Sequence, residues 1–239
     1  LDGKLIRKWT LTINLNPFTE SEKEQTPGAF LEYLIESKFT NEAAGQVDEF
    51  PADELPRRIV TGSFPAVLWR SPASASRWYR TDLMILVKRD IAEIRDTGEV
   101  TKLFELLSQR TASLLNVTNL SRDLNADRAM VGKYLGIFVV QQIIAQAQWT
   151  DPSLRFCHYR EKDQVEVDLV IERGSDVWGV EVKASESITE KDGAGLRRLA
   201  KLAGKNFRGG FLIYNGSMTW NLPSDKRFMA VPVSKFWTL

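Results

Sequence analysis

Hydrophobic and polar positions alternate most regularly in two short segments, 166–171 and 178–185. In the first, Val167, Leu169 and Ile171 interleave with Glu166 and Asp168; in the second, Val180 and Val182 interleave with Glu181 and Lys183. A period of two marks a strand with one buried face. The stretch Glu172-Arg173-Gly174-Ser175-Asp176 between them is polar and holds a glycine, which predicts a hairpin loop. Side chains alternate faces along a strand, so Glu166 and Asp168 share a face of the first, and Glu181 and Lys183 share a face of the second. Pairing the strands brings Asp168, Glu181 and Lys183 together.

Around this hairpin, Phe207–Tyr214 predicts an apolar strand that ends in an Asn215-Gly216 turn. Between them, Ser185–Asp192 is a capped approach to a helix with Leu196, Leu199 and Leu202 inward and Arg197, Arg198 and Lys201 outward. Met229–Val233 predicts an edge strand, and Phe236 and Trp237 anchor the tail. Strand, strand, helix, strand fits an α/β (α+β) core with a mixed sheet.

Upstream the period is helical. Ala29–Lys38 predicts a helix inside the acidic stretch Glu20–Glu54, whose acids read as a solvated surface. After Gly62-Ser63-Phe64-Pro65, one helix carries Arg77, Trp78, Tyr79, Arg80, Lys88 and Arg89, with Leu83, Leu86 and Val87 on its apolar side. Leu103–Leu115 predicts another helix, Ile137–Ala147 an apolar one with glutamines on one side, and Leu5–Ile13 an opening strand.

Val117–Leu135 has the cadence of a helix-turn-helix. Thr118 or Asn119 caps a helix bearing Leu120 and Leu124, Asn125 makes the turn, and Asp127 caps a second helix with Met130, Val131 and Tyr134 inward. Arg128 and Lys133 would then lie near a groove-reading face. Such units also serve purely as domain contacts, and the cadence does not choose between the two.

Composition narrows the chemistry. The 239 residues, 43% hydrophobic, can bury one sizeable core or two smaller ones. A net charge of +1 gives no global pull toward nucleic acid, so any such contact relies on local patches. The lone Cys157 cannot form an internal disulfide, and a single histidine, His158, argues against zinc sites and histidine triads. No apolar run reaches membrane-spanning length and no signal-peptide pattern opens the chain, so a cytoplasmic address without a membrane partner is expected. The chain opens on Leu1 rather than Met, which suggests a fragment, and no Gly-x-x-x-x-Gly-Lys-Ser/Thr phosphate loop occurs.

Asp168, Glu181 and Lys183 suit metal-dependent phosphodiester hydrolysis. Mg²⁺ prefers oxygen ligands and keeps several waters, so one or two carboxylates can hold it over a phosphate. A lysine beside them can orient the attacking water or stabilise charge on the phosphorus. Spacing alone favours the plainer reading, an amphipathic hairpin with a solvated charged face.

Asp168, a hairpin, then Glu181-x-Lys183 resembles the PD-(D/E)xK core of restriction-endonuclease-like proteins. His158-Tyr159-Arg160, Glu166-Val167-Asp168, Glu181-Val182-Lys183-Ala184-Ser185, Asp192, Gly195-Leu196 and Gly210–Gly216 resemble a family of prokaryotic ATP-binding proteins. In that family an AAA-type ATPase domain precedes a helix-turn-helix and a nuclease-like domain of unknown function. The similarity extends through Gly62–Pro65, Trp78-Tyr79, Arg89–Ile91 and Leu114–Asn116.

The resemblance implies a remnant or linker over 1–60, a helical region over 61–135, with its helix-turn-helix at about 117–135, and a nuclease-like domain over 136–239. It implies Asp168, Glu181 and Lys183 as catalytic residues, with Asp168 and Glu181 holding Mg²⁺ or Mn²⁺ and Glu166 or Gln142 in support. It also implies DNA as a partner, contacted by Arg128 and Lys133, and an ATPase region of the same parent. The chain as given, without the phosphate loop, should not hydrolyse ATP. Two departures stand out. Gly136 occupies the place of the family's Glu, a third acid, and the family's long insert between helix-turn-helix and following helix is missing. Two functions remain open: DNA hydrolysis, or an inactive nuclease-fold module that binds nucleic acid or a partner.

Overall fold

In a computed structural model of the chain, residues 16–41, 50–51, 54–79, 81, 85, 128–160 and 166–239 are described. They form a mixed α+β fold, as the pattern predicts. The six strands are β1 (Arg155–Arg160), β2 (Glu166–Arg173), β3 (Asp176–Lys183), β4 (Phe207–Tyr214), β5 (Trp220–Asn221) and β6 (Phe228–Pro232), in the order β1-β2-β3-β4-β6-β5. The β1, β2 and β3 strands pair antiparallel, and β4 pairs parallel with both β3 and β6. A parallel neighbour needs a crossover, which runs through a helix, α6 (Ala194–Ala203).

Before the sheet come α1 (Glu20–Glu24), α2 (Phe30–Ile35), α3 (Glu54–Thr61), α4 (Pro72–Trp78) and the long α5 (Arg128–Thr150); α7 (Lys235–Thr238) follows it. Side chains from α2, α5 and α7 cover one face: Phe30, Leu34, Leu135, Val139, Ile143 and Phe236 join Ile171, Trp178, Val180 and Ile213 in the larger core. The other face packs on α6, where Leu196, Leu199 and Ala200 meet Val170, Leu212 and Phe228. Burial on both faces explains why β4 and β6 read as continuous apolar runs rather than alternating ones. Two glycines let α6 close on the sheet. A Cβ on Gly195 would lie 2.3 Å from the Glu166 carbonyl oxygen, and one on Gly179 would lie 2.7 and 2.8 Å from the Leu196 and Leu199 methyls.

Several expectations are corrected. The strand expected at the edge over Met229–Val233 lies inside the sheet, between β4 and β5, with every β6 residue buried. Leu202 points outward and is 59% exposed; Ala200 takes the inward place, as a 3.6-residue period from Leu196 requires. The acids after Glu20 are not all solvated. Glu20 is fully buried, paired with Lys23 and with Arg58 of α3 (2.8 Å). Arg58 also bonds Glu54 and Glu24, and its guanidinium lies 4.5 Å over the Trp237 ring.

One helix, α5, runs unbroken through Gly136. Residues 117–127 of the expected helix-turn-helix, the strand at Leu5–Ile13 and the helix at Leu103–Leu115 lie outside the described residues. Among the described residues no helix is long and apolar enough to cross a membrane.

Candidate functional site

The β2–β3 hairpin closes on a two-residue turn, Gly174-Ser175, where Gly174 takes φ 61°, a conformation that favours glycine. From Arg173↔Asp176 the ladder runs to Leu169↔Val180 and ends there. Asp168 is the next residue, and it pairs through its side chain: the Val182 N–H donates to Asp168 Oδ2 at 2.7 Å. That bond holds the carboxylate against β3.

A β-bulge sets this geometry. Cys157 faces Val170 and Tyr159 faces Val167, so His158 alone opposes two residues of β2, Asp168 and Leu169. The extra residue breaks the alternation of β2. Val167 and Val170 both reach the α6-side core, which a spacing of three does not allow in a regular strand. Bulges redirect side chains beside functional sites, and the residue displaced here is an acid.

Glu181 sits on β3 beside Asp168 and is buried. Lys183 Nζ donates to Glu181 Oε1 at 2.8 Å. The second oxygen, Oε2, is buried with no hydrogen-bond partner among the described residues. Burial, and then the charges of Asp168 and Glu166, push the Glu181 carboxyl above the ordinary range against the Lys183 bond. Burial and Glu166 likewise push Asp168 up, against the Val182 bond and the charges of Lys183 and His158. Burial opposes the Lys183 ammonium, but the Glu181 bond and the charges of Glu181, Asp192 and Asp168 outweigh it and hold its pKa above the usual value. The carboxylates are therefore short of positive charge, while the lysine stays protonated.

The structure thus brings Asp168, Glu181 and Lys183 together, with Glu166 close enough for its charge to act on both carboxylates. Gln142 is employed elsewhere. Its Oε1 accepts the Glu20 N–H at 2.7 Å, so this buried side chain caps the start of α1. Arg128 and Lys133 belong to α5, and their side chains fall outside the described set. At Gly136 a Cβ would meet nothing within 4 Å, so the helix has room for a side chain there.

His158 and Asp192 are the neighbours that periodicity did not single out. His158 Nδ1 lies 3.5 Å from the Asp168 main-chain oxygen. Asp192 caps Thr189 through a 2.7 Å bond to its N–H and lends its charge to Lys183. In β2 the bulge shows as the consecutive apolar run Leu169-Val170-Ile171, which does not say which residue of β1 lies opposite it.

Asp168 and Glu181 are the oxygen donors available to a cation. Among the described residues no group of three or more His, Cys, Asp and Glu is placed to hold a metal. A cleft of about 400 Å³, lined by Glu32, Trp149, Asp151 and Arg173 among others, lies by the turn end of the hairpin, away from the carboxylates.

Residues 131–236 match a domain of unknown function (DUF4143), a domain found with AAA-type ATPases. Residues 52–164 match a second domain of unknown function (DUF8612). The first match spans the whole sheet, and the two overlap across α5 and β1. No curated protein matches the chain.

Proposed function

We propose that the chain is a nuclease-like module that hydrolyses DNA phosphodiesters with a divalent metal ion, as part of a larger ATPase-bearing protein. The observation that carries this reading is Glu181 Oε2, a buried carboxylate oxygen left bare beside a second carboxylate, with a protonated lysine two residues on. A desolvated carboxylate pair with one buried oxygen left bare is costly unless a cation completes it. Asp168 and Glu181 would hold that cation, and a hard, oxygen-preferring ion such as Mg²⁺ or Mn²⁺ suits them. When bound, such an ion supplies a water of lowered pKa and neutralises charge at the phosphate.

The rest falls to the chain's own side chains. The Val182 bond fixes the orientation of Asp168, so the site is built before substrate arrives. Lys183, protonated and a third exposed, presents the N–H donors that steady a water or a phosphate oxygen. Hydrolysis adds water across a P–O bond: the water oxygen bonds to phosphorus, the sugar oxygen leaves, and a phosphate monoester and a hydroxyl result.

A second reading, a binding module without catalysis, is favoured by the absence of a third acid at Gly136 and by the lysine already seated on Glu181. One experiment separates the two. Plasmid and single-stranded DNA are incubated with Mg²⁺ or Mn²⁺ and the wild type, Asp168→Ala or Lys183→Ala. Hydrolysis predicts metal-dependent cleavage by wild type, reduced about 10²–10³-fold or more in both variants. No cleavage by wild type, or equal cleavage by all three, ends the enzyme reading. A salt-sensitive gel shift of duplex DNA without cleavage, lost on Arg128→Ala plus Lys133→Ala, supports the binding module.

A further inference from the structure

The edge strand β1 runs beside the carboxylates, and its last residues alternate in exposure: His158 and Arg160 face solvent while Tyr159, between them, packs on the α6-side core. His158 is the single residue opposite the bulge that displaces Asp168, and its ring touches the Asp168 main chain. Arg160 opposes Glu166, yet its Nε is 4.0 Å from the carboxylate and its side chain is 68% exposed. The loose contact leaves the guanidinium donors largely to solvent.

A phosphodiester approaching this site meets three acids, Glu166, Asp168 and Glu181, and a lysine already bonded to one of them. A polyanion needs nearby donors that are not so engaged. We infer that His158 and Arg160 form the phosphate-holding edge of the site. They hydrogen-bond the DNA backbone next to the phosphate to be cut and align the strand along β1. The inference rests on the nuclease reading above and adds the path of its substrate. It makes both residues positioning groups, outside the chemistry of bond breakage, and it calls for no base-specific contact. Tyr159 packs on the α6-side core and so anchors β1.

The test is binding without turnover. Fluorescence anisotropy of a labelled oligonucleotide, single-stranded and duplex, is measured in a metal chelator for wild type, His158→Ala, Arg160→Ala, the double variant and Lys205→Ala. Lys205 is an exposed basic residue on the short turn before β4 and serves as the control. Each single variant is expected to raise Kd by about 3–10-fold and the double more. Arg160→Ala should also lower the salt slope by about 1, and Lys205→Ala should bind as wild type. Short-oligonucleotide cleavage should show the loss in KM, with kcat within about twofold.

Equal binding by wild type and the double variant overturns the inference, and so does a wild type that binds no oligonucleotide. A loss shared equally by Lys205→Ala overturns it as well, since that is diffuse charge. The nuclease reading is judged separately by Asp168→Ala and Lys183→Ala cleavage. Retained metal-dependent cleavage with unchanged binding in the β1 variants would overturn the path and leave the chemistry standing.

Discussion

Asp168 is held in a conflict that a single atom can resolve. Its Oδ2 accepts the Val182 N–H, yet burial and the charge of Glu166 push its carboxyl pKa up, so ionisation in the fold is penalised. A carboxyl with a raised folded-state pKa binds its proton more tightly when folded. The penalty is full above the raised value and vanishes as pH falls below the unfolded one, near 3.9 for an aspartate. Asp168→Asn keeps the oxygen acceptor and removes the charge. In chelator at pH 7 it should stabilise the chain by about 1 kcal/mol, or about 2–4 °C in Tm. The gap should close as pH falls below about 4, and a Tm equal to wild type at pH 7 would count against the conflict. Asp168→Ala removes the acceptor as well and should melt below the Asn variant, because the Val182 N–H loses its partner at about 1–3 kcal/mol. Glu181 and Lys183 were legible because an unbroken two-residue period along β3 fixes the face they share, whereas the period of β2 breaks at Asp168. His158 was not legible, since no pattern within either strand records which residues of β2 it opposes.

Elements meet through groups that are distant in sequence. Gln142 of α5 accepts the Glu20 N–H at the start of α1, and Gln146, one turn on, accepts the Leu31 N–H of α2 at 2.9 Å. Two buried glutamines thus dock two short helices on a long one. Gln142→Leu preserves approximate volume but strands a buried N–H, so it should cost about 1–3 kcal/mol in a denaturant melt. If Gln142 served the carboxylates instead, the variant would lose cleavage and keep its stability. The glutamines along α5 were visible as a polar side of an apolar helix, but their partners were not, because each contact joins residues more than a hundred positions apart. The same limit explains β6. Its apolar run was legible, whereas its interior place depends on β5, a two-residue strand below the length at which alternation can be seen. By contrast the pattern predicts Phe207–Tyr214 with its observed bounds, since Gly204 precedes it and Asn215-Gly216 closes it. The strand β1 leaves no such signal, because an edge strand exposed along most of its length carries little apolar alternation.

At the scale of the molecule, the sheet and its N-terminal helices share one core. Phe30 of α2 is fully buried, stacks on Phe236 at 3.8 Å between ring centroids, and lies 5.4 Å from Phe39. The Gly28 N–H donates to the Leu239 carbonyl oxygen at 3.0 Å, and Arg58 covers Trp237, so α7 and Leu239 are held by two earlier segments, residues 28–30 and α3. The match to a domain of unknown function covers residues 131–236, which includes every described strand but none of α1, α2 or α3. Physically that stretch is not self-sufficient. Without α2 the larger core loses Phe30, Leu31 and Leu34, and the face formed by Phe211, Ile213 and Phe236 opens to water. A fragment spanning residues 128–239 should therefore melt without a sharp transition and bind a hydrophobic dye, while the full chain unfolds cooperatively. Within the full chain, Phe30→Ala should cost about 3–5 kcal/mol, the range for emptying a buried aromatic site. A 128–239 fragment that melts at the full-chain Tm would show that the N-terminal helices are an appendage. The stacked Phe30–Phe236 pair and the buried Arg58 network argue the opposite, that they complete the body on which the β2–β3 site is carried.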